Sequence, residues 1–342
     1  MTIIVLGIDL AKSVFAVHGI GQSGKPELVR PRVAREQLLE LVASLPPCLI
    51  GMEACSGAHH WARQFQALGH TVRLMAPKFV APYRLSGRRG KNDAADAAAI
   101  CEAVQRPNMR FVPIKSEQQQ SVLCLHRTRQ GFVTERTATY NRIRGLISEF
   151  GIVLPLKVER LRVQIRAHLD QLPPWALRCV TDLLEHATEL ERRIEEYDHI
   201  LKQMAREDGQ ARALMRLPGI GPATASALVA SVGNGHDFSN GRQVAAWLGL
   251  VPGQYSSGGK TRLGRITKAG DAYLRSLLLM GARAILSGLG EKQDRFSRWA
   301  RSLVERRGYW KAAVAIAAKN ARLAWAVLHY GDQFRLKADP VE

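Results

Sequence analysis

Two aspartates three residues apart, Asp93 and Asp96, open an alanine-rich stretch that reads as a helix to about Val104. At that spacing their side chains share one helix face, roughly 5–6 Å apart at Cβ, where like charges repel unless a cation lies between them. First-turn acids are also favoured by the helix dipole, with Asn92 or Asp93 as the cap. The pair alone therefore leaves a helix start and a metal site equally open. Two more acids upstream decide between them. Asp9 closes the apolar run Ile3 to Ile8, and Glu53 closes Cys48 to Met52. Each is delivered by a predicted strand to a sheet edge, where ligand and catalytic groups of α/β sheets gather. Hard oxygen ligands in this order suit Mg²⁺ or Mn²⁺. Two such ions about 3.5–4 Å apart clamp the attacking and leaving oxygens of phosphoryl transfer.

A second reactive stretch carries hydroxyls among cations: Tyr255-Ser256-Ser257-Gly258-Gly259-Lys260-Thr261-Arg262, then Arg265 and Lys268. It reads as a glycine-rich loop suited to a phosphodiester. A third, Leu217-Pro218-Gly219-Ile220-Gly221-Pro222, has the form of a helix-hairpin-helix turn. The turn over Pro218, Gly219, Ile220 and Gly221 would expose amides after the proline, beside the next helix's N-terminus, to hold a backbone phosphate. Gly19 to Lys25 approximates a phosphate-binding loop, but Pro26 stands where Ser or Thr is required and the context is strand-turn-strand, so it reads as a hairpin turn. His59 and His60 point to different helix faces and read as packing or surface residues. The five cysteines are scattered, without a Cys-x-x-Cys pair, which argues against a zinc site or a disulfide framework and fits a reducing cytoplasm.

The elements that must position these residues follow from periodicity. Three strands, Ile3 to Ile8, Ser13 to Gly19 and Pro26 to Val33, predict a meander. A helix over Arg35 to Leu45, the strand ending at Glu53, a helix to Leu68 and a strand over Thr71 to Met75 continue an α/β pattern. A basic, loop-like run from Arg84 to Lys91 leads into Asp93. Ser116 to Glu149 reads as a long basic helix with Arg127, Arg129, Arg136, Arg142 and Arg144. Beyond Pro173-Pro174, Ala176, Val180, Leu183, Ala187, Leu190, Ile194, Tyr197, Leu201 and Met204 keep a heptad seam, as a coiled coil needs, with the partner helix left open. From Asp271 onward the chain is helical, and Trp299, Trp310 and Trp325 are expected to pack. The order of acids after a meander is that of a ribonuclease H-like domain. The fold expected is α/β plus α: a ribonuclease H-like mixed sheet with a basic helix (residues 1–150), a region carrying the heptad seam (151–206) and a mainly helical C-terminal part with the helix-hairpin-helix turn and the serine-bearing loop (207–342).

Net charge is +19 over 342 residues, an excess that points to a polyanion partner. No apolar run approaches the ~20 residues of a spanning helix, and the first nine residues lack a signal peptide's basic lead. A cytoplasmic protein with no membrane partner is expected.

Gly7-Ile8-Asp9-Leu10-Ala11-Lys12, Met52-Glu53-Ala54, Lys91-Asn92-Asp93-Ala94-Ala95-Asp96, Leu217-Pro218-Gly219-Ile220-Gly221 and Tyr255-Ser256-Ser257-Gly258 together resemble the DEDD-type insertion-sequence transposases of the insertion-sequence one-ten family. The resemblance runs over nearly the whole chain. It implies a RuvC-like N-terminal domain, a coiled-coil insertion and a C-terminal transposase domain, with a catalytic acid set of Asp9, Glu53, Asp93 and Asp96 and a nucleophilic serine at Ser257, Ser256 being the alternative register. It further implies donor and target DNA, a noncoding guide (bridge) RNA pairing with both, and a homo-oligomer, dimer or tetramer, with the metal site and serine on different protomers. Three other readings compete: a RuvC-like junction nuclease using a metal-activated water, a nucleic-acid scaffold with structural acids, and an actin-like ATPase. The serine loop argues against the first, like-charge repulsion against the second, and Ala11, where a glycine-rich phosphate turn is needed, against the third.

Overall fold

The computed structural model describes residues 2–84 and 92–331. Of the basic run before Asp93, residues 85–91 lie outside that description. Two compact units divide between Gln118 and Gln119.

In the first unit, β1 (Ile3–Asp9), β2 (Val14–Gly21) and β3 (Pro26–Ala34) form the antiparallel meander. Gly24, at φ 71°, turns the β2–β3 hairpin, so the glycines before Pro26 serve a strand-to-strand turn. Then come α1 (Arg35–Ala43), β4 (Leu49–Glu53), α2 (Ala58–Ala67), β5 (Thr71–Met75), a single turn α3 (Pro77–Val80), α4 (Asp93–Val104) and β6 (Phe111–Val112). The sheet order is β3-β2-β1-β4-β5-β6. β4 runs parallel to β1 and to β5, and β6 runs antiparallel to β5.

The sheet is covered on both faces, which is why β1 reads as a continuous apolar run. Leu6 and Ile8, with Ile50 and Met52, pack toward Phe15, Leu38, Val42, Trp61 and Phe65. Val5 packs on the opposite face with Val80, Ile100, Cys101 and Val104 of α3 and α4. That face also carries Gly7 and Gly51, where α4 comes down on the strands. A Cβ on Gly7 would stand 2.3 Å from the Ala97 carbonyl oxygen, and one on Gly51 would stand 2.8 Å from Val104 Cβ. The alanines of α4 favour helix, and their small side chains allow that approach.

The second unit opens with α5 (Glu117–Ser148), whose first residues precede the division, then α6 (Val158–Arg166) and α7 (Pro174–Glu207). The first half of the expected seam of α7 packs against α5 and α6. Tyr140, Ile143 and Ile147 of α5 cluster with Leu161, Ile165, Val180 and Ala187. Arg129 donates to both carboxylate oxygens of Asp198, at 2.6 and 2.9 Å, and Tyr140 donates to Glu191 at 3.0 Å. Part of the basic face of α5 is thus spent internally: Arg144 also donates to the carbonyls of Pro155 and Leu156.

The remaining helices are α8 (Gly209–Leu214), α9 (Pro222–Val232), α10 (Gly241–Trp247), α11 (Ala272–Ser287), α12 (Arg295–Arg307) and α13 (Tyr309–Tyr330), with β7 (Pro252–Gln254) paired antiparallel to β8 (Leu263–Ile266). Their core includes Leu214, Leu228, Val244, Leu274, Leu278, Ile316 and Ala317. Fully buried His126 of α5 joins this core to the helical pair. Its Nε2 lies 3.0 Å from Ser226 Oγ and its Nδ1 3.0 Å from the Tyr273 hydroxyl. Ser226 already donates to the Pro222 carbonyl, so Nε2 carries the proton and Nδ1 accepts from Tyr273. Trp325 packs as expected, its indole N–H donating to the Gly235 and Phe238 carbonyls, and Trp299 is half-buried beside Phe296. Trp310 does not pack: it is 68% exposed, because helical spacing from apolar neighbours places it at the first turn of α13, beyond the reach of the core.

Candidate active site

Asp9 and Glu53 leave the sheet side by side. Ile8 pairs with Met52 in parallel register, so the next residues of β1 and β4 emerge at the same end. Side chains alternate along a strand. Asp9 therefore shares the face of Val5 and Gly7, and Glu53 that of Leu49 and Gly51, which is the face α4 covers. The Asn92 side chain caps α4 by accepting from the Ala95 amide at 2.8 Å. Asp93 and Asp96 fall in its first turn, where the dipole favours them, and Asp96 is buried. The close approach of α4 at Gly7 and Gly51 is what brings that turn over the two strand ends.

Asp96, Glu53 and Asp93 all lie within electrostatic reach of Asp9. Burial, then the charges of Asp96, Glu53 and Asp93, push the Asp9 carboxyl up to about 6, against a small opposing pull from Arg84. Arg84 is a site residue that the sequence reading missed. Its Nε stands 2.5 Å from Asp96 Oδ1 and its Nη2 3.6 Å from Glu53 Oε1. Among the described residues, no three acids, histidines or cysteines stand close enough together to share one metal ion. The two observations agree once the guanidinium is counted: the acids are gathered, and a cation of this chain stands in contact with two of them. The donor set, all carboxylate oxygens, fits a hard divalent ion, and the repulsion felt by Asp9 is the strain such an ion relieves.

The expected serine loop is a β-hairpin tip. Lys260 donates its amide to the Ser257 carbonyl at 3.1 Å and Tyr255 donates to the Arg262 carbonyl at 2.9 Å. Gly258 and Gly259, at φ 54° and 76°, make the two-residue turn, as a right-twisted hairpin requires. The two serines are not equivalent. Ser256 Oγ accepts from Gln254 Nε2 at 2.9 Å and from the Arg262 amide at 3.3 Å. Ser257 meets Lys260 in a backbone bridge. Lys260, Arg262, Arg265 and Lys268 are all exposed, and none makes an ion pair among the described residues.

The glycine turn between α8 and α9 is held from behind. Asn320 Nδ2 donates to the Pro218 carbonyl at 2.8 Å, and a Cβ on Gly281 of α11 would stand 1.9 Å from the Gly219 carbonyl oxygen. Leu217 and Ile220 are buried anchors, while Pro218 and Gly221 are exposed.

Two carboxylates at neighbouring strand ends and two in the first turn of α4, in a strongly basic chain, suit phosphodiester chemistry on nucleic acid. Comparison with known proteins makes this specific. Residues 6–152 match a DEDD transposase domain of the IS110 type, and residues 211–298 match the domain described as "Transposase IS116/IS110/IS902 family". A "Probable family 20 transposase" of Pseudomonas aeruginosa is 45% identical, over 94% of this chain and 96% of its own length. The transposases for insertion sequence elements IS1328 of Yersinia enterocolitica and IS1111A of Coxiella burnetii are each 40% identical, over 96% and 98% of this chain and 98% and 92% of theirs. The chain belongs to the IS110/IS116/IS902 family of transposases, enzymes that cut and rejoin DNA. Its six-stranded mixed sheet is consistent with the ribonuclease H-like fold of the DEDD type, and DEDD domains generally use divalent metal ions. No described helix is long and apolar enough to cross a membrane.

Proposed function

We propose that this transposase recombines donor and target DNA of a mobile element through a serine nucleophile, with Asp9, Glu53, Asp93 and Asp96 holding Mg²⁺ or Mn²⁺. The observation that carries this reading is the convergence of two parallel strand ends and the first turn of α4 on one acidic cluster. The bound ion would supply Lewis acidity to phosphate oxygens. The protein's own groups do the rest. The turn through Pro218, Gly219 and Gly221 faces backbone phosphate while buried Ile220, its amide donating to the Leu217 carbonyl, anchors it, and Lys260, Arg262, Arg265 and Lys268 hold the strand beside the hairpin tip. Ser257 Oγ bonds to the scissile phosphorus, one backbone P–O bond breaks, and the hydroxyl proton ends on the released strand end. Attack by the exchanged strand's hydroxyl reverses the step and frees the serine.

Ser257 is favoured over Ser256 because the Ser256 oxygen is already engaged by Gln254 and the Arg262 amide. In this reading residues 1–150 carry the metal site, 151–206 a coiled-coil arm and 207–342 the helix-hairpin-helix and serine. The chain acts as a cytoplasmic homo-oligomer, dimer or tetramer, with a guide RNA choosing the DNA. The test is a trapped protein–DNA adduct. Ser257→Ala should bind DNA and form no adduct, while Ser256→Ala should still form one. Metal-dependent cleavage by both variants at the wild-type rate would put a water-using nuclease in its place.

A further inference from the structure

Between α12 and α13 the chain turns a corner in which every residue from Glu305 to Lys311 is exposed. It carries Arg306, Arg307 and Lys311 against the single acid Glu305. At its centre Trp310 is 68% exposed and Tyr309 38% exposed. The two rings meet edge to face, centroids 5.3 Å apart. The guanidinium of Arg283, on α11, lies 5.6 Å from the Trp310 centroid. An indole left this open costs hydration free energy, and the core gains nothing from it. The neighbouring cations make the surface wrong for an apolar partner. A flat aromatic face ringed by arginine and lysine matches the face of an unpaired base with its phosphates alongside.

We infer that Trp310, with Arg283, Arg306, Arg307 and Lys311, forms a stacking platform for an unpaired stretch of DNA. An enzyme that cuts and rejoins DNA exposes such stretches when strands separate. Duplex DNA hides its base faces and would meet only the cations, so the platform should discriminate between the two forms. The inference stands on the exposed corner alone and does not depend on which serine or acid acts.

The test uses the full chain, a labelled single-stranded DNA oligonucleotide, and a duplex and an RNA strand of the same sequence. Trp310→Ala should weaken single-strand binding about 5- to 100-fold, the range for loss of one base–aromatic stack, and change duplex binding less than about twofold. Trp310→Phe keeps a π-face and should stay within a few-fold of wild type. Because the ring is exposed, Trp310→Ala should melt with the wild type. Wild-type affinity for the single strand, or an equal loss on duplex, would overturn the platform. A loss on RNA alone, or a fall in oligomeric mass by light scattering, would overturn it too, reassigning the surface to RNA or to a second copy. Retained duplex binding in every variant would leave the transposase reading intact.

Discussion

The carboxyl of Asp9 is the sharpest electrostatic feature of the site. Its folded pKa of about 6 lies above the ~3.9 of an unfolded aspartate. The folded state therefore binds the extra proton between those values. Without metal, the stability this group contributes is present at about pH 4, declines as pH rises and is gone above about pH 6. Asp9→Asn should flatten that window and raise metal-free stability at pH 7 by about 1 kcal/mol, discounted for the group's part exposure, while abolishing strand transfer. Urea unfolding at pH 4.5 and 7, with and without Mn²⁺, reads both effects; a variant less stable than wild type at pH 7 would remove the repulsion argument. Arg84 can be probed the same way. Its guanidinium contacts Glu53 and Asp96, so a divalent ion at the proposed site must displace it or accept its repulsion. Arg84→Ala should tighten Mn²⁺ binding roughly tenfold, from an interaction of like charges a few ångströms apart at the effective dielectric of a protein surface. Weaker binding in calorimetry would instead make Arg84 the group that orients the acids.

At the scale of elements, the placement of Asp9 and Glu53 at neighbouring strand ends was legible because strand periodicity fixes parity. Gly7-Ile8-Asp9 and Gly51-Met52-Glu53 repeat one pattern, a glycine two residues before an acid, and both glycines mark where α4 lies against the sheet. The meander, the β4 and β5 strands and most helices were readable from the same periodicities. Arg84 was not legible, since its partners come from β4 and α4, brought together only by tertiary packing. The hairpin around Ser257 read as a loop because glycine, serine and arginine mask the alternation that marks a strand. Trp310 showed the reverse failure, where helical spacing promised a buried face that ends one turn too early. Two substitutions test the packing. Gly7→Ala forces a Cβ to 2.3 Å from a backbone oxygen of α4 and should cost about 3 kcal/mol or more, weakening Mn²⁺ binding as the first turn of α4 shifts; wild-type behaviour would mean the helix is free to move. His126, its pKa pulled down to about 4 by burial and then by Arg129, stays neutral in the fold but protonates near 6.5 once unfolded. Stability should fall from pH 6.5 toward 4 by up to about 3 kcal/mol. His126→Gln should be less stable at pH 7 and lose that acid slope.

At the scale of the molecule, charge is the dominant property. An excess of +19 would draw any polyanion at low salt, so affinity alone cannot identify which cations touch DNA. The salt dependence can. Each phosphate contact releases condensed counterions, and for duplex DNA the log–log slope changes by about 0.9 per contact. Many of the chain's arginines are already committed: Arg129 to Asp198, Arg144 to two carbonyls, and Arg192 to Glu189 and Glu196. Lys260 and Arg262 are exposed, uncommitted among the described residues, and flank the Ser257 tip. If the hairpin lies on the DNA backbone, Lys260→Ala with Arg262→Ala should flatten the slope by about 1.8, measured by fluorescence anisotropy between 50 and 300 mM salt. The same pair on the committed side, Arg192→Ala with Arg144→Ala, should leave the slope within about 0.5 of wild type even though it removes equal charge. Equal flattening by both pairs would mean that the slope reports net charge, and the hairpin would lose its claim to a specific phosphate contact. An unchanged slope in the hairpin variant would mean that the cations around Ser257 face solvent in the complex.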